Sequence, residues 1–197
     1  MGIIDLNLNP QINVQNFSTR WSRLRREPRV YSEVAEYDMA LTRAISRSKE
    51  PHDLCCSVGT ADFIVPWLQR LYRHAEANFK PSPKIQKILI RHLPYKLIEE
   101  LSKCGVLDSG FGNTLRSNVF NLTNDSVIGN HGVKIEVRPW GQVPPFHGHL
   151  YSLDFLVGLW SIDSAGRLHV QTPITHLKGE RFADRLAVAR KAFTIDP

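Results

Sequence analysis

The chain has 197 residues, 42% of them hydrophobic and 22% charged, with a formal net charge of +6. That length suits one domain or two small ones, the balance is too apolar for a disordered chain, and no apolar run approaches the ~18 residues of a membrane-spanning helix. Three cysteines, Cys55, Cys56 and Cys104, match neither a disulfide framework nor a Cys-x-x-Cys zinc pattern, and residues 1–6 lack the basic and apolar parts of a signal peptide.

The chain therefore reads as intracellular, reduced and soluble. Its positive charge favours acidic partners, RNA among them.

In chain order, residues 1–19 are rich in Asn and Gln and read as an arm or an edge strand. Arg20, Arg23, Arg25, Arg26 and Arg29 follow as a basic cluster, either a solvated helix face or a phosphate contact. Ser32, with Glu33 and Glu36 behind it, predicts a capped helix to about Ser46 whose inner face is Val34, Met39, Leu41 and Ile45. Residues 51–59 read as a break. Asp62 then caps an apolar helix in which Phe63, Ile64, Trp67, Leu68, Leu71 and Tyr72 recur at three- and four-residue spacing. Pro81 and Pro83 mark a linker, and residues 84–90 read as a short helix with Ile85, Ile88 and Leu89 inward.

The segment 94–103 opens on the pair Leu93-Pro94 and reads as a helix carrying Leu97, Ile98 and Leu101, ended by Gly105. Leu93 and Leu97 are expected to face outward together as a hydrophobic plug. From Gly110 onward, residues 127–128, 133–137, 150–160 and 167–170 are strand-like, with a hairpin turn at 163–166. Residues 180–192 close the chain as a helix with Phe182, Leu186 and Ala189 inward. The implied fold is α+β: a helical N-terminal half and an antiparallel β-rich C-terminal half closed by a helix. Its divisions are a basic N-terminal arm over 1–30, a helical region over 31–109 and a β-rich region over 110–197, within one compact domain.

Candidate chemistry is sparse. His147 and His149 would share one face of a strand and could meet one metal ion, with Asp154, His131, His169 or His176 as a third ligand. None stands at a diagnostic spacing, and Pro144-Pro145 favours a polar loop or edge-strand pair, so no metal and no cofactor are expected. No phosphate-binding glycine loop or nucleophile elbow is present, and no catalytic residue is assigned. Trp140-Gly141, in a Pro-flanked loop, is a candidate partner contact, because tryptophan is a typical interface anchor.

The pattern Leu93-Pro94-x-x-Leu97, followed by Leu101, Cys104-Gly105-Val106-Leu107 and the stretch 132–137, resembles the F-box-like RNA-silencing suppressors of plant poleroviruses and enamoviruses over residues 60–140. The resemblance implies a viral protein of the host cell cytoplasm without catalysis of its own. Leu93, Pro94, Leu97 and Ile98 would dock a host SKP1-type adaptor of the ubiquitin pathway, and Trp140 and Gly141 would contact an Argonaute protein. The alternative is a basic RNA-binding or virion-associated protein of matrix type.

Overall fold

The strands His52–Val58 and Ile85–His92 lie side by side and parallel, and both are buried along most of their length. Strands covered on both faces read as continuous apolar runs rather than alternating ones. This is why 84–90 resembles a helix in sequence and 51–59 a break; both expectations are corrected here. The computed structural model describes residues 28–141, 146–158, 160–162, 168–170 and 174–194, and only the backbone within 160–162 and 168–170. The turn expected at 163–166 lies outside the described residues, as do Arg20, Arg23, Arg25 and Arg26.

The strands are β1 (Arg29–Tyr31), β2 (His52–Val58), β3 (Ile85–His92), β4 (Lys134–Pro139), β5 (His147–Tyr151), β6 (Asp154–Gly158), β7 (Trp160–Ile162), β8 (Leu168–Val170) and β9 (Ile174–Lys178). The helices are α1 (Val34–Arg47), α2 (Ile64–Ala77), α3 (Tyr95–Lys103), α4 (Phe111–Thr123), α5 (Ser126–Asn130) and α6 (Ala183–Thr194). One seven-stranded sheet runs β1-β9-β6-β5-β2-β3-β4, and β7 pairs with β8 as a separate hairpin. Within the sheet β2, β3 and β4 are parallel, and every other neighbouring pair is antiparallel. The expected α+β division is therefore corrected to a mixed α/β arrangement, with strands and helices interleaved and a sheet that is not purely antiparallel.

Several elements depart from expectation for local reasons. α4 carries Asn, Ser, Thr and Gly, which are poor helix formers, and it folds on the inward face of Leu115 and Leu122, both fully buried. Residues 127–128 lie in α5, not in a strand, because Asp125 Oδ1 accepts from the amides of Val127 and Ile128 at 3.0 and 3.2 Å. In α1 the inner face is Tyr37, Ala40, Leu41, Ala44 and Ile45, while Val34 and Met39 are exposed. Neither Ser32 nor Asp62 caps its helix. α3 matches the sequence: the amides of Gly105 and Val106 bond the carbonyls of Ser102 and Leu101, with Gly105 at φ 73°.

Two cores result. The larger fills one face of the sheet, beneath side chains from α1 to α5, and holds Trp67, Tyr72 and Leu93. The smaller lies on the opposite face, where Leu186, Ala189 and Phe193 of α6 pack on Leu89, Leu150 and Phe155. Cys55, Cys56 and Cys104 are free. Burial raises the Cys55 thiol to about 11, with Asp53 adding to the effect, and burial also raises the Cys56 thiol, with Cys55 adding to it. Among the described residues no helix is long and apolar enough to cross a membrane.

Candidate functional site

Strand pairing assembles the polar residues that the sequence scatters. One row of partners crosses all seven strands: Arg29, His176, Leu156, His149, Cys56, Ile90 and Val137. Two residues further along each strand, towards the carboxyl ends of β2, β3 and β4, Tyr31 pairs with Ile174, His147 with Gly158, and Val58 with His92 and His92 with Pro139. Residues two apart share a face. Tyr31, His92, His147, His149 and His176 thus all belong to the face covered by α1–α5.

That edge is also where the sheet changes direction. β2 has parallel β3 on one side and antiparallel β5 on the other. The helices that follow β2 and β3, α2 and α3, both begin there, and neither has a side chain capping its first turn. The turn into α2 is tight, with Ala61 at φ 64°. Asp62 accepts from Thr60 Oγ1 at 2.5 Å and from Asn118 Nδ2 at 2.7 Å, which ties α4 to this turn.

The histidines sit in different surroundings. His149 is buried against the rings of Tyr37 and Phe63 at 5.4 and 5.8 Å, and neither of its ring nitrogens has a hydrogen-bond partner. Burial lowers its pKa to about 3, so it is neutral at physiological pH. His147 packs over Gly158, where a β-carbon would collide with its ring. Between the two, Gly148 has φ 148°, and a β-carbon there would run into the carbonyl of Leu156. Burial also lowers the pKa of His92, opposed by the bond from its ring to the carbonyl of Leu93 at 2.6 Å. His176 bridges Tyr31, whose hydroxyl is 2.9 Å from Nδ1, and Asp154, whose Oδ1 is 2.7 Å from Nε2. Lys178 Nζ lies 3.6 Å from the same carboxylate oxygen.

His147 and His149 do lie on one strand, as the spacing allows, but on a central buried strand and not in a loop or at a sheet edge. Among the described residues no group of three or more His, Cys, Asp or Glu is arranged to hold a metal.

The residues expected to dock an adaptor lie differently from the plug. Leu93 is 0% exposed and Ile98 2%, both part of the larger core. Pro94 and Leu97 are half-buried. The outward-facing Leu93 is therefore corrected: the chain enters α3 directly from a buried strand, and Leu93 is still inside the sheet layer. Trp140 is also buried, packed on Phe146 and Phe193 with the guanidinium of Arg91 at 4.7 Å over its ring, while Gly141 is exposed. Of the five arginines in the basic cluster, Arg29 lies among the described residues, exposed on β1.

The chain of Tyr31, His176 and Asp154 escaped the sequence reading because its members come from β1, β9 and β6. No local spacing announces such a set; only the strand order joins them.

No family model, curated protein or solved structure matches the chain.

Proposed function

We propose that the chain binds nucleic acid, with the phosphate backbone lying along the carboxyl edge of β2, β3 and β4 against His147 and His92. One observation carries this reading: at the point where the sheet changes direction, two helices without side-chain caps point their N-termini at the edge that holds both imidazoles. In α/β sheets, ligands bind outside the carboxyl ends of the parallel strands. Helix N-termini favour anions there, through unsatisfied N–H groups and the helix dipole. The net charge of +6 favours a polyanion over a single small anion. At the far side of the sheet, Tyr31 of β1 lies in the same edge row, and exposed Arg29 lies two residues back from it.

An F-box-like role in silencing suppression has no comparable support, since Leu93 would have to leave the core to meet an adaptor.

The test is fluorescence anisotropy with labelled single-stranded and duplex RNA and DNA across a salt series. Binding is expected to weaken linearly in log affinity with log salt. His147→Ala and His92→Ala should each weaken it while the chain still unfolds cooperatively. Absence of binding to every oligonucleotide at low salt would overturn the reading.

A further inference from the structure

Tyr31, His176 and Asp154 form a continuous hydrogen-bonded chain across three strands, with links of 2.9 and 2.7 Å. A neutral imidazole has one donor and one acceptor nitrogen. With Nε2–H donated to Asp154, Nδ1 turns its lone pair to the phenol, and the Tyr31 hydroxyl donates to it. Nucleophile, base and orienting carboxylate are then in hydrogen-bond reach in the order covalent catalysis requires, a set recognised by geometry and not by spacing.

Burial is graded along this chain. His176 is 5% exposed and Asp154 9%, whereas Tyr31 is only half-buried and sits on the terminal strand of the sheet. The base is shielded from water, and the residue it serves is only half-buried. Arg29, exposed and two residues before Tyr31, pairs with His176 in the sheet. It places a cation on the same face of β1 as the phenol, which suits an anionic substrate.

We propose that Tyr31 is a nucleophile towards phosphodiesters, with His176 as its general base and Asp154 as the residue that positions His176. The proposal rests on the reading of this edge as a phosphodiester site. In the first half, a bond forms from Tyr31 Oη to phosphorus and the ester bond to the leaving oxygen breaks. The phenol proton passes to His176 Nδ1, and the leaving alkoxide takes a proton from solvent. In the second half water attacks phosphorus, the Tyr31–phosphorus ester breaks, and the phenolate regains a proton through His176. The products are an alcohol and a phosphomonoester, and water is the sole co-reactant.

The full chain, mixed with bis(p-nitrophenyl) phosphate, should release a burst of nitrophenolate, and peptide mass spectrometry should find the phosphoryl group on Tyr31. Tyr31→Phe, which keeps the ring and its packing, should abolish burst and adduct. His176→Gln should slow the burst by roughly a hundredfold or more. Asp154→Asn should lower kcat and leave KM unchanged, a split that mere loosening of the fold would not give. No adduct on the wild type, an adduct on another side chain, or an undiminished burst in Tyr31→Phe would overturn the proposal. Anisotropy on the same preparations separates the two readings. Oligonucleotide binding without an adduct overturns the nucleophile alone, and an adduct without oligonucleotide binding overturns the nucleic-acid reading alone.

Discussion

The ring of His147 fills the space that a β-carbon on its cross-strand partner Gly158 would need. The same β-carbon would crowd Ile174 Cδ1. A glycine on β6 therefore sets where an imidazole on β5 can lie.

Gly158→Ala is expected to push the ring off its partner. Overpacking of this kind costs about 1–3 kcal/mol, visible as a lower urea midpoint at unchanged slope. Oligonucleotide affinity should fall with it, because the imidazole leaves its place at the carboxyl edge.

His149 makes the fold sensitive to acid. Its folded pKa of about 3 lies below the ordinary value of 6.5, so between those values the unfolded chain holds a proton that the folded chain does not. Stability is then lost as pH falls from 6.5 towards 3, by on the order of 2 kcal/mol between pH 6.5 and 5 from this residue. His92, lowered in the same direction by burial, adds to the loss. His149→Leu should flatten the pH dependence of urea unfolding by about one proton; an unchanged slope would contradict the assignment.

Phe79 occupies the glycine position of a helix end. The amides of Phe79 and Lys80 bond the carbonyls of Glu76 and Ala75, as in a helix closed by a left-handed residue, and Phe79 has φ 50° with 99% of its surface exposed. A side chain in this conformation costs roughly 1–2 kcal/mol, and this one recovers nothing by burial. Phe79→Gly should raise the melting temperature by a few degrees, as differential scanning calorimetry would show.

Leu93 and Leu97 should separate on truncation. Leu93→Ala, at a fully buried position, is expected to cost about 2–5 kcal/mol. Leu97→Ala, half-buried, should cost clearly less. Equal and small losses in urea unfolding would place both side chains outside the core.

The sequence was legible where an element is amphipathic. α2, α3 and α6 show the three- and four-residue spacing of one buried face, and Gly105 ends α3 where expected. It was illegible where burial is two-sided. β2 and β3 have no polar face to reveal their period, so Ile85, Ile88 and Leu89 fit a helix as well as a strand. The pair His147 and His149 was visible as a motif, but its surroundings were not. That Tyr37 and Phe63 enclose His149, and that His176 links Asp154 to Tyr31, depends on strand neighbours far apart in sequence.

Tyr31 and His176 are 145 positions apart, and among the described residues β1 joins the sheet through β9 alone. Contacts of such long separation form slowly, because loop closure must precede any gain from pairing. During synthesis, Tyr31 leaves the ribosome long before its partner exists. The phenol and its base therefore come together among the last events of folding, after β2 and β3 can already pair. A chain halted before β9 would have much of the larger core and none of this hydrogen-bonded set.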